Sequence, residues 1–337
     1  MSELEATARA IVSPGKGILA ADESSPTIKK RFDSIGTEST EENRRNYREM
    51  LFRTEGAEEF VSGVILFDET IRQNAADGTS LPKILESKGI IPGIKVDTGA
   101  KPLAGSPDEK VTEGLDGLRD RLTEYRGIGA RFAKWRAVIA IGDGLPTDYC
   151  IATNAHALAR YAALCIEAGI VPIVEPEVLM DGAHTIERCF EATERTLRAV
   201  FAELAAQRVP LEQTLLKPNM VLSGKECPVQ ASVREVAEAT VACFERVVPA
   251  AVPGVVFLSG GQSDELATAH LNEMNKLGAA PWELSFSYGR ALQAPALKAW
   301  GGKAENYEAG QKAYDHRARC NGAARYGKYT EAMETAA

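Results

Sequence analysis

Thr214-Leu215-Leu216-Lys217-Pro218-Asn219-Met220-Val221 is a short apolar segment with one lysine inside it. Its length and composition predict a β-strand. A lysine is seldom buried without a partner, so two interpretations are open for Lys217. Its ammonium group could lie at the strand end, in water. Alternatively, an amine in an apolar pocket beside another cation loses its proton more readily than a free lysine does, and it becomes a nucleophile toward carbonyl groups.

Similar apolar, β-branched segments recur along the chain, and each is followed by a helical pattern. The predicted strands are Gly17–Asp22, Val61–Phe67, Ile90–Val96, Ala133–Ile141, Ile170–Glu177, Thr214–Val221, Gly254–Gly260 and Glu283–Gly289. The predicted helices are one from a capping box at Ser39 through Arg53, one from a capping box at Ser232 through Val247, and periodic segments over Thr153–Ala168 and Ser263–Leu277 that end at Gly169 and Gly278.

Continuous apolar strands that alternate with amphipathic helices predict an α/β protein with a parallel sheet covered by helices. Eight such strands without a polar linker favour a closed (β/α)8 TIM barrel, a single domain over residues 1–337. A dinucleotide-binding sheet is disfavoured because Ala20–Ser24, after the first strand, lacks the G-x-G-x-x-G pattern. We expect residues 330–337 to be a short flexible tail.

Composition excludes several classes of protein. The chain has 337 residues and a formal net charge of −8, with no block of Lys and Arg to bind nucleic acid. No apolar run is long enough to span a membrane, and the N-terminus has no signal or transit pattern. Six scattered cysteines predict reduced thiols and a cytoplasmic location. The four histidines lie far apart in sequence, so we expect no catalytic metal.

Charged residues collect near the ends of the predicted strands. They are Asp22, Lys95, Asp97, Lys134, Arg136, Glu175, Glu177, Lys217 and Arg290. In a (β/α)8 barrel the carboxyl ends of the strands form the active site. Acids and bases that point inward there must neutralise one another or meet a charged ligand. A purely stabilising network of ion pairs is the alternative interpretation.

Two glycine-containing segments end the last two predicted strands, Leu258–Ser263 and Ser287–Arg290. Glycines let backbone N–H groups approach an anion, and barrels often bind phosphate after strands seven and eight. Glycine turns without a ligand are the alternative. Ser24, Thr27 and Lys95 suggest a second anion site across the mouth. Together these features indicate a pocket for a small sugar bisphosphate.

At these positions the chain resembles the class I fructose-bisphosphate aldolases of glycolysis. The resemblance extends from about Ile11 to Tyr329, in the family's order. The segments that carry it are Pro14–Ser24 for the first strand, Phe132–Arg136, Ile170–Pro176 and Leu215–Met220 for strands four to six, and Phe257–Ser263 and Phe286–Leu292 for strands seven and eight.

The resemblance implies a role for each matching residue. Lys217 would form a Schiff base with the ketose C2 carbonyl, and Glu175 would be the main acid and base in forming and hydrolysing it. Glu177 would pair with Lys217, Lys134 would be the neighbouring cation, and Asp22 would take the proton of the C4 hydroxyl. Ser259, Gly260, Gly289 and Arg290 would hold the C1 phosphate, and Ser24, Thr27 and Lys95, with Arg136 nearby, would serve the C6 end. Gly261 and Ser287 are further expected substrate-binding residues.

The resemblance also implies sugar phosphates as ligands and a homotetramer. We expect no metal, no other cofactor, and no nucleic-acid or membrane partner. Two departures stand out. Pro26 and Thr27 replace the glycine and serine that are common in the family, and no tyrosine follows Tyr329, whereas family members often carry a longer tail that ends in one. From the short tail we expect slower protonation of the enamine. Another Schiff-base barrel, acting on a monophosphate or on sedoheptulose bisphosphate, is the alternative enzyme. A binding or scaffold role is the alternative class.

Overall fold

The computed structural model describes residues 1–278 and 280–335. Eight parallel strands form a closed barrel in the order β1-β10-β9-β8-β7-β6-β3-β2, and β4 and β5 form a separate antiparallel hairpin. The strands are β1 (Gly17–Ala21), β2 (Val61–Leu66), β3 (Ile91–Lys95), β4 (Gly99–Leu103), β5 (Ser106–Glu113), β6 (Phe132–Ile139), β7 (Val171–Val178), β8 (Leu215–Leu216), β9 (Gly254–Phe257) and β10 (Glu283–Tyr288).

Helices connect the barrel strands and cover the outside of the barrel, as the alternating sequence pattern predicted. They are α1 (Glu3–Ile11), α2 (Ser25–Asp33), α3 (Glu41–Phe52), α4 (Asp68–Arg72), α5 (Leu81–Ser87), α6 (Leu118–Ile128), α7 (Asp148–Glu167), α8 (Ile186–Ala206), α9 (Val233–Val247), α10 (Asp264–Leu277), α11 (Arg290–Trp300) and α12 (Tyr307–Ala324), with short 3₁₀ turns at Ala57–Glu59, Leu211–Gln213, Ala304–Asn306 and Glu331–Glu334. The prediction of a (β/α)8 TIM barrel is confirmed.

The barrel interior changes from apolar to charged along the strands. Its lower half is a buried cluster that includes Ala20, Phe132, Ile173 and Leu215. Side chains two residues apart on a strand face the same way. The inward positions that come next are therefore Asp22, Lys134, Glu175 and Lys217, respectively. The pleat of the sheet alone thus brings four charged groups together at the carboxyl end.

Phe132 fills the barrel interior below these charges. A Cβ atom at Gly93 would lie 2.3 Å from its ring, and one at Gly63 would lie 3.0 Å from it. Side chains at either position would displace the ring, so the two neighbouring strands need glycine there. The apolar cluster thereby closes the barrel under the charged residues.

All eight predicted barrel strands are confirmed, although several bounds differ. The sixth is the shortest, because only Leu215 and Leu216 lie in the regular ladder, whereas Thr214–Val221 was predicted. Pro218 has no N–H group to donate and interrupts the ladder. The chain stays beside its neighbours beyond that point, since the Lys217 N–H donates to the Val174 carbonyl at 2.8 Å and the Leu258 N–H donates to the Pro218 carbonyl at 3.1 Å.

Two predicted helix starts were wrong. Thr40, not Ser39, caps α3, because its hydroxyl accepts from the Asn43 N–H at 3.1 Å. Helix α7 begins at Asp148, with Thr147 as its cap, five residues before the predicted start at Thr153. The capping box at Ser232 and the span of α10 with its cap at Ser263 are confirmed. Helix α1 and the β4–β5 hairpin were not predicted.

The C-terminal segment returns to the body of the protein. Helix α12 is followed by the 3₁₀ turn over Glu331–Glu334, where the Glu334 carboxylate accepts hydrogen bonds from Arg317 Nη1 at 2.6 Å and from the Tyr329 hydroxyl at 2.7 Å. Residues 336 and 337 lie outside the described residues, and the flexibility of the tail stays a prediction. Among the described residues, no helix combines the length and apolar character needed to cross a membrane.

Candidate active site

A cavity of about 530 Å³ opens at the carboxyl end of the barrel. Every residue predicted from the sequence to act in catalysis or to bind substrate lines it. These residues are Asp22, Ser24, Thr27, Lys95, Lys134, Arg136, Glu175, Glu177, Lys217, Ser259, Gly260, Gly261, Ser287, Gly289 and Arg290. Seven cationic and six acidic side chains lie in the wall. The cavity of this acidic protein is therefore slightly cationic, which favours an anionic ligand.

Lys217 and Lys134 lie on either side of one buried carboxylate. The Nζ atom of Lys217 is 3.1 Å from Oε1 of Glu175, and Nζ of Lys134 is 3.1 Å from Oε2. Lys134 also contacts Oδ2 of Asp22 at 2.9 Å. The side chains of Lys134, Glu175 and Lys217 are at most 5% exposed. Two ammonium groups and two carboxylates thus form a continuous, nearly dry network.

The network shifts the protonation of its members. Burial would raise the pKa of Glu175, but the ammonium groups of Lys134 and Lys217 outweigh it and lower that pKa below its ordinary value. Burial would also raise the pKa of Asp22. The positive charges of Lys134 and, to a smaller extent, Lys217 outweigh burial and lower this pKa strongly. Burial opposes the charge on Lys134, yet Asp22 and Glu175 raise its pKa. At neutral pH both carboxylates are therefore ionised, and each can accept a proton.

Oε2 of Glu175 has unused hydrogen-bonding capacity. Lys134 is close enough for an ion pair, but within the described part of the chain no donor makes a hydrogen bond of good geometry with this buried atom. The hydroxyl of Ser287, also buried and in the cavity wall, has no hydrogen-bond partner among the described residues either. Buried polar atoms are normally satisfied. Oε2 of Glu175 can therefore accept a hydrogen bond from a ligand's hydroxyl, and the hydroxyl of Ser287 can donate one to a ligand's oxyanion.

The predicted pair between Glu177 and Lys217 is wrong for this structure. Glu177 Oε2 contacts Nε of Arg136 at 2.5 Å instead. The pairing of β7 with β8 explains the difference, because Ile173 and Val174 pair with Leu215 and Leu216. Lys217 is consequently level with Glu175, and Glu177 lies two residues farther toward the mouth. The Arg136 side chain, 44% exposed, reaches Glu177 there.

The segment Ser259–Gln262, which we call the glycine turn, follows β9. Gly260 and Gly261 have φ angles of +58° and +93°, in the left-handed region that glycine adopts readily. Successive N–H groups in such a turn can surround an anion. Arg290 lies beside it, since Nη2 donates to the Gln262 carbonyl at 2.6 Å. Gly289 precedes Arg290 at the N-terminus of α11, whose dipole adds to the positive potential.

The residues of the predicted second anion site lie at the start of α2 and the end of β3. The hydroxyl groups of Ser24 and Thr27 lie 3.2 Å apart, and both residues line the cavity. Lys95 reaches the same cavity but is paired with Asp97, at 2.8 Å between Nζ and Oδ1. A phosphate group would have to share Lys95 with this carboxylate or displace it.

Several residues of the cavity wall were not predicted from the sequence. Arg31 lies one helical turn after Thr27 on α2 and pairs with Glu23, at 2.5 Å between Nη1 and Oε1. The i, i+4 spacing of Thr27 and Arg31 was the available signal, because such residues share a helix face. Lys225 and Asp181 come from loops after β8 and β7. Nothing in the sequence around either residue marks it as part of the site.

The described residues include one group that could hold a metal ion, formed by His316, Cys320 and Glu334. Its ligand atoms lie within 4.8 Å of one another. None of the three lines the cavity at the barrel mouth. Arg317 occupies the same carboxylate of Glu334, at 2.5 Å. The H-x-x-x-C spacing places His316 and Cys320 one turn apart on α12.

The geometry of the cavity suits carbonyl chemistry. A buried primary amine faces a carboxylate that can take its proton, and a second carboxylate lies within the same network. Such an amine can add to a carbonyl carbon and lose water to form an imine. Anion-binding elements on two sides would hold a substrate that carries a phosphate at each end.

Comparisons with known proteins agree with this chemistry. A sequence profile of the family described as "Glycolytic: Fructose-bisphosphate aldolase class-I" matches residues 3–337. The chain is similar to a probable fructose-bisphosphate aldolase class 1 from Xanthomonas campestris pv. campestris, with 61% identity over 98% of this chain and 99% of the relative. It is also similar to fructose-bisphosphate aldolase 1 from Toxoplasma gondii, with 56% identity over 97% of this chain and 91% of the relative.

A solved structure gives the same result in three dimensions. The fructose-bisphosphate aldolase from Plasmodium falciparum, determined in complex with TRAP and a small-molecule inhibitor, superimposes with a TM-score of 0.96 and 52% sequence identity. The match covers 97% of this chain and 95% of that one. The chain therefore belongs to the class I fructose-bisphosphate aldolases, a family of lyases, as the sequence resemblance implied.

Proposed function

We propose that this protein cleaves fructose 1,6-bisphosphate reversibly to glycerone phosphate and D-glyceraldehyde 3-phosphate through a Schiff base on Lys217, in glycolysis and gluconeogenesis. The observation that carries the proposal is the 3.1 Å contact between Nζ of Lys217 and Oε1 of Glu175 at the floor of a cationic cavity. Membership of the class I aldolase family supports the reaction type.

Imine formation begins when Lys217 loses a proton and its nitrogen attacks C2 of the open-chain ketose. Glu175 is the acceptor in reach, because its ionised carboxylate already contacts that ammonium group. The addition gives a carbinolamine, whose hydroxyl must leave as water. The protonated Glu175 returns the proton to that hydroxyl, and the C–N bond becomes a protonated imine.

Cleavage of the C3–C4 bond then uses the imine as an electron sink. Asp22 takes the proton of the C4 hydroxyl, the C4–O bond becomes the aldehyde of glyceraldehyde 3-phosphate, and the electron pair of C3–C4 moves into an enamine. Lys134 holds Asp22 and Glu175 in the same network, at 2.9 Å and 3.1 Å. Protonation of the enamine at C3 and hydrolysis of the imine release glycerone phosphate.

The two phosphates hold the sugar in place at its ends. We assign the C1 phosphate to the glycine turn with Ser287, Gly289 and Arg290, and the C6 phosphate to Ser24, Thr27, Lys95 and Arg136. In this arrangement C2 faces Lys217 between the two sites. The unsatisfied hydroxyl of Ser287 supports the assignment, because an oxyanion would supply its missing partner.

We further propose that the reaction uses no metal and no other cofactor, since the imine replaces a metal ion as the electron sink. A cytoplasmic homotetramer without nucleic-acid or membrane partners is also proposed. The net charge of −8 and the six buried free cysteines support a reducing compartment without contact with nucleic acid.

The experiment that tests this function compares turnover of fructose 1,6-bisphosphate, fructose 1-phosphate and sedoheptulose 1,7-bisphosphate. We expect the first to have the highest kcat/KM and to yield both trioses, with activity unchanged after prolonged treatment with a chelator. A preference for the monophosphate would favour the other Schiff-base barrel reaction. Activity lost to chelation and restored by zinc would contradict the metal-free mechanism.

A scaffold role without catalysis is the weaker candidate. Burying Lys134, Glu175 and Lys217 together requires desolvation of three charges. A protein that only holds partners together gains nothing from that arrangement at the floor of an open cavity. Absence of turnover with all three sugars would favour it.

A further inference from the structure

Two cations of the described cavity wall, Arg31 and Lys225, are used neither by the sequence motifs nor by the proposed reaction, and of the two it is Lys225 that lies against Gly261 of the glycine turn. It lies in the loop after β8, and it lines the same cavity as the glycine turn and Arg290. Its ammonium group pairs with Asp181 in the loop after β7, at 3.0 Å between Nζ and Oδ1. Because two neighbouring loops hold this cation in the wall of the binding cavity, it is a candidate to contact an anionic ligand.

Backbone contacts fix the position of Lys225. Its own N–H donates to the Met180 carbonyl at 2.8 Å, and the N–H groups on either side of it donate to the carbonyls of His184 and Gly182 at 2.8 Å and 3.0 Å. The close approach requires glycine at position 224, because a Cβ atom there would lie 2.2 Å from the Gly182 carbonyl oxygen. The two loops therefore form one unit, from which the side chain of Lys225 extends.

The end of that side chain lies against the glycine turn. A Cβ atom built on Gly261 would be 2.9 Å from Cε of Lys225 and 3.0 Å from its Nζ. The ammonium group is thus within a few ångströms of the backbone that binds the C1 phosphate in the proposed function. Arg290 approaches the same turn through the Gln262 carbonyl, at 2.6 Å. Two independent cations accordingly adjoin one anion-binding turn.

The present partner of Lys225 is weakly held. The side chain of Asp181 is 67% exposed and that of Lys225 is 46% exposed. An ion pair in such a position contributes little, because water screens it and two mobile side chains must be ordered. A phosphate group carries a charge of about −1.5 to −2 near neutral pH, more than one carboxylate does. Exchange of Asp181 for a phosphate is therefore favourable when the ligand enters.

We propose that Lys225 is a binding residue for the C1 phosphate of the substrate, and that Asp181 competes with the phosphate for it. The proposal rests on the function proposed above, since it takes the glycine turn to hold that phosphate. Lys225 is free to turn from Asp181 to the ligand because its stem already lies over Gly261. The affinity of the cavity for a sugar phosphate therefore depends on how strongly Asp181 holds the ammonium group of Lys225 in the unliganded protein.

The test compares Lys225→Met, Asp181→Asn and the double variant, with Lys303→Met as a control for loss of a surface lysine. The inhibition constant of glycerone phosphate is measured for each at low and at physiological ionic strength. We expect Lys225→Met to weaken binding about three- to tenfold. Asp181→Asn should tighten binding about two- to threefold by releasing Lys225. The double variant should behave like Lys225→Met, and Lys303→Met like the parent.

A purely structural role for the Lys225–Asp181 pair predicts a different pattern. Both single variants would then weaken binding alike and lower the unfolding midpoint. Unphosphorylated glycerone provides a second reference, because loss of Lys225 should leave its binding unchanged. The inference is overturned if Asp181→Asn fails to tighten binding or if Lys225→Met binds glycerone phosphate as the parent does.

Failure of the proposed function gives a separate signal. Glycerone phosphate with borohydride should modify the unaltered protein, which shows that the cavity binds this ligand covalently. No modification would overturn the proposed function, whatever the variants do. Modification of the parent together with unchanged binding in Lys225→Met would overturn the role of Lys225 alone.

Discussion

The ammonium nitrogen of Lys217 lies 3.1 Å from Oε1 of Glu175, and both side chains are at most 5% exposed. The register of β7 and β8 makes this contact, because Val174 pairs with Leu216 and the next residues are Glu175 and Lys217. The carboxylate can therefore take a proton from the amine without rearrangement of the backbone.

Replacing Glu175 by glutamine should stop proton transfer and leave the shape of the cavity intact. General acid–base catalysis typically contributes about 10²- to 10⁴-fold, so kcat should fall by that factor, with KM changed only a few-fold. Steady-state cleavage of fructose 1,6-bisphosphate provides the measurement. Glu177→Gln is the matched control. Its carboxylate contacts Arg136 rather than Lys217, so its effect on kcat should be smaller. Equal losses in the two variants would contradict the assignment.

Replacing Lys134 by methionine should destabilise the protein in a pH-dependent way. Removing one partner of a buried ion pair costs about 3–5 kcal/mol, and here Asp22 and Glu175 both lose a contact. Chemical denaturation at pH 7, 5 and 4 measures the difference in the free energy of unfolding between the variant and the parent.

The sign of the pH dependence follows from the pKa values. Lys134 helps to lower the pKa of the carboxyl groups of Asp22 and Glu175 in the folded protein. In the parent these two groups therefore add to the free energy of unfolding above their ordinary pKa of about 4, and this stabilisation is lost as pH falls through the lowered values. Without Lys134 they should take up protons at higher pH, which relieves the uncompensated charge. The variant should therefore approach the parent in stability as pH falls from 7 to 4. A difference that stays constant would show that the loss comes from packing.

Replacing Arg290 by alanine should weaken binding of the C1 phosphate. A charge-assisted contact of this kind contributes about 1.5–3 kcal/mol, so the inhibition constant of glycerone phosphate should rise by about one to two orders of magnitude. Arg290→Lys is the control, because it keeps the charge but cannot form a bidentate contact, and its loss should be smaller. Unchanged binding in Arg290→Ala would mean that the phosphate lies elsewhere.

His270 should make the stability of the protein fall in mild acid. It is 2% exposed, and its Nδ1 lies 2.6 Å from Oε1 of Gln262 at the glycine turn. Burial lowers the pKa of His270 from 6.5 to about 4. Between these values the unfolded chain binds the proton and the folded protein does not. Each such group removes up to about 1.4 kcal/mol of stability per pH unit on acidification.

The variant His270→Asn can keep a donor toward Gln262 and cannot titrate. Between pH 7 and 5 it should lose about 1–2 kcal/mol less of its unfolding free energy than the parent does. The pKa of His184 is also lowered by burial and leaves a residual slope in both proteins. Parallel curves for parent and variant would mean that His270 is protonated in the folded state.

Much of the fold and the site could be predicted because both depend on short-range patterns. Ala20 and Asp22, like Leu215 and Lys217, are two residues apart and therefore point to the same side of their strand. The inward positions of these strands thus change from apolar to charged along the sequence. Four of the eight barrel strands follow this pattern, and because the carboxyl ends of all eight parallel strands lie at the same end of the barrel, these charges meet at its mouth. The family resemblance added the role of each residue.

What the sequence could not provide depends on register and on contacts between loops. The pairing of β7 with β8 places Lys217 beside Glu175 and leaves Glu177 to contact Arg136, and no local sequence pattern specifies the register between these two strands. Lys225 reaches the cavity through hydrogen bonds between two loops. The early end of β8 has a local cause, because Pro218 has no backbone N–H to donate to the ladder.

Reduction with borohydride in the presence of glycerone phosphate, followed by peptide mapping, tests the central claim most directly. The imine on Lys217 should be reduced to a stable amine that carries one triose, with loss of activity in proportion to the label. The modified peptide should contain Lys217, and neither Lys134 nor Lys225 should be labelled. Label on another lysine, or inactivation without any label, would contradict the account.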